Sequence, residues 1–138
     1  NRISDSMHTA NRLRLFWNKA ANTDKWKIRV YDAIIKSKLL YGLETIQLTQ
    51  ADQNRLDAFQ IKGLRRIFKI LPTFEDRTWT NYKVLEKASI ILGKPVQLFS
   101  DSWKKAKFRL LGHILRADPA DPMRQVVCEH NSLCPRDI

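Results

Sequence analysis

The stretch that decides the fold is "TQADQNRLDAFQIKGLRRIFKIL", residues 49–71. Thr49 followed three residues later by Asp52 is a variant capping box, a helix start signal. Pro72 lacks the N–H that a helix interior needs, so the predicted helix stops near Leu71. At about 100° per residue, Leu56, Phe59, Leu64, Ile67 and Leu71 fall on one side. Arg55, Lys62, Arg65, Arg66 and Lys69 fall in another sector. Such a split predicts an amphipathic helix with an apolar face toward a core and an exposed cationic stripe.

The pattern on both sides is also helical, and no strand alternation appears. Upstream, Ile3, Met7, Ala10, Leu13, Phe16 and Ala20 recur every three or four residues, which predicts one helix over residues 2–20. Asn22, Thr23 and Asp24 offer caps for a second helix over about 24–42. Trp26, Ile28, Val30, Tyr31, Ala33, Ile34, Ile35, Leu39, Leu40 and Tyr41 make it apolar nearly all round, so it is expected to be the most buried. Gly42 is its C-cap, and Glu44 lies in the short joint before Thr49. Glu44 is read as a structural residue that caps or meets a cation. Downstream, residues 71–79 form a loop and 81–92 a short helix ended by Gly93. Pro95 opens a long helix over about 95–117, with Phe99, Trp103, Ala106, Leu110 and Ile114 as its stripe. "ADPADP" (117–122) breaks it, and Asp121-Pro122 starts a last short helix through Glu129. The expected fold class is all-α: a bundle of about five helices, with a three-helix unit in residues 1–71 and connector helices in 72–138 that end in an irregular tail.

The composition bears on function. The 138 residues are 43% apolar, enough for a core, yet carry a formal charge of +11. An excess that large in a small chain implies an anionic partner, with nucleic acid ahead of a membrane surface. Residues 1–70 hold 14 Lys/Arg against 6 Asp/Glu, and 71–138 hold 11 against 8, so the first half is the better contact surface. No apolar run approaches the roughly 20 residues of a membrane span. Two cysteines make no disulfide framework, so an intracellular, reducing compartment is expected. The start at Asn1 reads as a fragment or a processed product.

The five cations of residues 55–69 match the spacing of backbone phosphates, with Arg65 and Arg66 suited to forked contacts. A weaker second cluster is Lys104, Lys105, Lys107 and Arg109, with Arg116 beyond. Trp103 and Phe108 interleave with it and are read as core residues, with base stacking as the alternative. Cys128, His130 and Cys134 lack a paired C-x2-C and a fourth ligand, so no metal site is expected; no cofactor is expected either. No Asp-x-Asp pair, P-loop, G-x-S-x-G or H-E-x-x-H is present, so no catalytic residue is assigned.

Several strings also resemble a known family. "SKLLYGLETIQLTQADQNRLDAFQIKGLRRIFKI" (37–70) resembles a segment of the reverse transcriptases of non-LTR (LINE-type) retrotransposons. The matching positions are Leu40, Tyr41, Gly42, Glu44 and Thr45, then Leu56, Phe59, Gln60, Lys62, Leu64, Arg65 and Ile67. "DRTWTNYKVLEKA" (76–88) and "RLLGHILRADPADPMRQVV" (109–127) are similar to later elements of that family, the second through Leu111, Gly112, His113, Leu115 and Arg116. "RISDSMHTANRLRLFWNKA" (2–20) is similar to the helix entering its thumb. The resemblance implies the thumb and post-thumb connector, gripping RNA or an RNA–DNA hybrid. The palm's tyrosine-x-Asp-Asp turn and the endonuclease are absent, so the chain itself is expected not to be an enzyme. The missing palm domain is then a partner, in the nucleus or cytoplasm. The alternative is a retroelement-derived RNA-binding subunit of a large ribonucleoprotein such as an organellar ribosome, beside other protein subunits. A helical DNA-binding regulator is the third reading; it lacks the tight helix-turn before the long helix.

Overall fold

A computed structural model describes residues 1–19, 21–73 and 75–128. The chain is all-α, with no strand among the described residues. Its elements are α1 (Arg2–Arg12), α2 (Arg14–Asn18), α3 (Asp24–Val30), a π-helical turn (Tyr31–Lys36), α4 (Ser37–Leu40), a 3-10 turn (Leu43–Thr45), α5 (Gln50–Phe68), α6 (Asn81–Leu92), α7 (Phe99–Arg116) and α8 (Pro122–Val127). Among the described residues no helix is long and apolar enough to cross a membrane.

Helix starts follow local chemistry where a side chain can reach the free N–H groups. Thr49 Oγ1 accepts from Asp52 N, and Asp52 Oδ2 accepts from Thr49 N, so the capping box forms as expected. Thr23, Thr80 and Asp121 cap α3, α6 and α8, with Pro122 in the first turn of the last. Gly42 and Gly93 both sit at φ 71 just beyond helix ends, where a residue without Cβ adopts the left-handed conformation freely.

Three elements depart from expectation. The first helix is broken at Leu13. The indole Nε1 of Trp17 donates to the Ala10 carbonyl at 2.8 Å, the group that a continuous helix would offer to Arg14 N. Ala20, the last residue of that expected stripe, lies outside the described residues. Helix α5 stops at Phe68 and not near Leu71. Lys69 takes φ 56, Ile70 N donates to Arg65 O at 2.9 Å, and Lys69 N donates to Arg66 O at 3.3 Å. That is a Schellman closure with lysine in the position usually given to glycine. The long helix begins at Phe99, not Pro95. Leu98 has no capping side chain, and α5 supplies the caps instead: Gln60 Oε1 accepts from Phe99 N at 2.9 Å, and Asp57 Oδ1 from Ser100 N at 2.9 Å.

The core is built on α5, which buries Gln53, Leu56, Phe59, Gln60, Leu64, Arg65 and Ile67. Residues 24–42 are less enclosed than expected: Trp26, Ile34 and Tyr41 are exposed. Their buried stripe is Ile28, Tyr31, Ile35 and Leu39. In a π turn, residues four apart stay nearly aligned, which keeps Tyr31, Ile35 and Leu39 on the core side. The Tyr31 ring stacks on Phe59 and Phe99, with centroids 6.5 and 6.1 Å apart, and meets Trp17 edge-on at 6.1 Å. Its hydroxyl donates to Phe59 O, and burial raises its pKa. One continuous core crosses residue 71, taking in Val84, Ala88, Phe99 and Trp103.

Gly63 permits this arrangement. A Cβ there would lie 2.6 Å from Tyr31 Cε2 and closer still to the hydroxyl. Glycine inside a helix costs about 1 kcal/mol relative to alanine, so Gly63→Ala would stabilise an unhindered α5. Here the steric clash dominates, and Gly63→Ala is expected to destabilise by roughly 1–3 kcal/mol in urea denaturation. Pairing it with Tyr31→Ala should recover part of the loss. A neutral or stabilised Gly63→Ala variant would contradict the contact.

Candidate nucleic-acid interface

Helix α5 turns different sides to different neighbours. Asp57 and Gln60 hold the start of α7. At about 100° per residue, Lys62 lies well around the helix from both, on the side facing α1. Between α1 and α5 the surface opens into a groove formed by two adjoining cavities of about 1290 and 600 Å³. Met7, Ala58, Phe59 and Lys62 line both, which makes the two continuous. Trp17, Tyr31 and Ile67 floor the larger, and Leu39, Leu43 and Leu56 the smaller. Cations dominate the rim, with Arg66 and Arg77 at one end, Lys62 in the middle, and Arg55 and Arg2 at the other, where Asp52 is the one carboxylate of the lining.

The cations assigned from sequence divide by environment. Arg55 and Lys62 are exposed on the groove rim. Arg66 is half-buried there, and its Nη1 donates to Asn11 Oδ1 at 2.8 Å, linking α5 to α1. Lys69 is exposed but lines neither cavity, because it closes the helix end. Lys104, Lys105 and Arg109 are exposed on α7 and also lie outside the groove. The expected five-cation exposed stripe is therefore shorter.

Arg65 is the correction that matters most. Only 7% of it is exposed, so it is not part of an exposed stripe. Its Nη1 donates to Leu71 O at 2.8 Å; its Nη2 donates to Trp79 O at 2.6 Å, Thr73 Oγ1 at 3.0 Å and Asn81 Oδ1 at 3.1 Å. The planar fork that suits phosphate suits carbonyls equally well, and here it folds the 70–81 link back onto α5. Asp76 in the same link accepts from the hydroxyl and N–H of Thr78, which hold its carboxyl below the usual range.

Two further readings resolve differently. Trp103 is buried, and its Nε1 donates to Leu43 O at 2.8 Å, fixing α7 against the joint after Gly42. Phe108, read as core, is 69% exposed. Glu44 is half-buried in that joint with neither a cap nor a cation as partner among the described residues. Cys128 is buried; His130, Cys134 and Glu129 lie outside the described residues. Sequence reasoning missed Arg2, Asn11 and Arg77. Arg77 stands in the "DRTW" string, but Arg2 and Asn11 reach the groove only through the packing of α1.

The electrostatic arrangement has a simple cause. The only ion pair among the described residues joins the terminal ammonium of Asn1 to Asp5 at 4.0 Å. No Lys or Arg side chain pairs with a carboxylate there. Asp52, Asp57, Asp76, Asp118 and Asp121 accept backbone N–H groups at helix starts and turns instead. These five carboxylates serve the backbone, and the exposed cations have no carboxylate partner among the described residues. Comparison with protein-family models, curated proteins and solved structures finds no match to this chain.

Arg65→Met removes a buried fork and strands its acceptors, so it is expected to lower stability by about 2–4 kcal/mol. Lys62→Ala on the rim should stay within about 0.5 kcal/mol of the parent. Thermal melts of the two variants side by side check this. Equal, small effects would contradict the placement of Arg65.

Proposed function

We propose that this chain is a non-catalytic, nucleic-acid-binding module that grips RNA or an RNA–DNA hybrid through backbone phosphates. It acts as the thumb and connector of a non-LTR retrotransposon reverse transcriptase. The observation that carries the proposal is the uncompensated charge: an open groove rimmed by Arg2, Arg55, Lys62, Arg66 and Arg77, in a chain of net +11 without a Lys/Arg–carboxylate pair among its described residues. Such cations are hydrated or screened by counterions in the free protein, and phosphates that replace those counterions gain their release entropy. The apolar floor suits sugar edges better than charged groups.

The family resemblance gains a physical rationale. Its strings are joined by contacts that hold the module together. Arg65 in one bonds Asn81 in the next, and Leu43 at the "YGLET" joint accepts from Trp103 on α7, the helix that runs on into the "RLLGHILR" string. Polymer synthesis would then belong to a palm domain carrying the aspartates these 138 residues lack, with this chain contributing grip.

Fluorescence anisotropy against an RNA–DNA hybrid tests the reading. About four phosphate contacts, each worth a slope of roughly −0.7 to −0.9 in log affinity against log salt, predict a loss on the order of a hundredfold between about 50 and 200 mM salt. Lys62→Ala should reduce the slope by about one without changing the melting temperature. Salt-insensitive binding, or a Lys62→Ala slope equal to the parent's, would overturn the proposal.

A further inference from the structure

A second surface carries chemistry that the groove does not use. Helix α7 buries Phe99, Trp103 and Ile114 on one side. On the opposite side, at about 100° per residue, stand Phe108, Lys104, Lys105, Arg109 and Arg116. All five are exposed. None of these cations has a hydrogen-bond or ion-pair partner among the described residues. Lys107, by contrast, is occupied: it donates to Gln47 and lies 5.1 Å from the Trp103 ring centroid. Asp101 is the one carboxylate on the exposed face, at its N-terminal end.

Gly112 shapes the middle of this face. It lies one turn beyond Phe108, and the Arg116 guanidinium folds back over it. A Cβ on Gly112 would lie 3.1 Å from Arg116 Nη1 and 3.7 Å from Cζ. The missing side chain therefore lets the Arg116 guanidinium lie low on the helix, one turn beyond Phe108. What sets Phe108 apart from the other exposed apolar residues is its place among four cations without partners among the described residues. A partner with flat apolar faces along an anionic backbone complements both features at once.

We propose that the Phe108 face of α7 binds single-stranded nucleic acid, with an unpaired base stacked on the Phe108 ring and neighbouring phosphates held by Lys104, Lys105, Arg109 and Arg116. Duplex does not satisfy this face, because its bases are already stacked on one another and only its phosphates would be reached. The site is separate from the α1–α5 groove, which lies on another side of α5, and it stands or falls independently of the groove.

The test compares the whole chain with Phe108→Ala, Phe108→Leu and Phe108→Trp variants. Each is titrated against a labelled oligouridylate and, separately, an RNA–DNA hybrid at fixed ionic strength. Phe108 is exposed, so circular dichroism of the variants should match the parent. Stacking predicts that Phe108→Ala weakens oligouridylate binding roughly 5- to 150-fold, that leucine does not restore it, and that tryptophan does. Hybrid affinity and the salt slope should be unchanged. If the hybrid is bound poorly by every variant while oligouridylate still depends on Phe108, the groove reading fails and this one stands. Unaltered oligouridylate binding by Phe108→Ala overturns the proposal. So does an equal loss on hybrid, full rescue by leucine, or binding of polyglutamate but not of oligouridylate, which would assign the face to an acidic protein.

Discussion

The contact between the Tyr31 ring and the bare backbone at Gly63 is the constraint on which the rest depends. It brings the π-helical turn directly against α5, closer than any side chain would permit. With Tyr31 seated there, Phe59 and Phe99 both stack on it and Trp17 meets it edge-on. Four segments distant in sequence thus share one aromatic cluster. The indole of Trp17 then draws the Ala10 carbonyl and breaks the first helix at Leu13, while Phe99 sets where α7 begins. The position of α1, and with it one wall of the groove, follows from this packing.

The distribution of charge follows from the same frame. A small helical protein with many short elements has many helix starts and turns, each with N–H groups that need acceptors. Here carboxylates meet that need at five places, one of them acting across the fold from α5 to α7. Arg65 and Arg124 do the converse for carbonyls. Those carboxylates are bonded to backbone N–H groups, and no Lys or Arg among the described residues has a carboxylate within pairing range. The positive field comes from the excess of 25 Lys and Arg over 14 Asp and Glu, and the way the helices are terminated leaves those cations without carboxylate partners among the described residues.

Much of the architecture was legible in the sequence. The helical class, the capping box at Thr49 and Asp52, the stops at Gly42 and Gly93 and the Asp121-Pro122 start are all local signals, and each acts within a few residues. The early stop of α5 is a local closure at Lys69, but the misplacements at Leu13, Leu98 and Arg65 come from tertiary contact. Nothing near Leu13 signals a break, because the breaking group is an indole four residues on. Nothing near Leu98 signals a start, because the caps come from Asp57 and Gln60. Arg65 and Lys62 look alike on a helical wheel; only the return of the 70–81 link buries one and leaves the other on a rim. Phe108 and Trp103 are both aromatic residues amid lysines, but at about 100° per residue Trp103 falls in the apolar stripe with Phe99 and Ile114 while Phe108 lies on the opposite side.

The central claim is that the α1–α5 groove is where nucleic acid lies. Titrating isotope-labelled protein with an RNA–DNA hybrid and following backbone amide shifts tests it most directly. The account predicts changes that track the groove, along α1 from Arg2 to Asn11 and along α5 from Arg55 to Arg66, and that collapse together as salt is raised. Shifts confined to α6 and α8, with α1 and the rim of α5 unmoved at saturation, would contradict it.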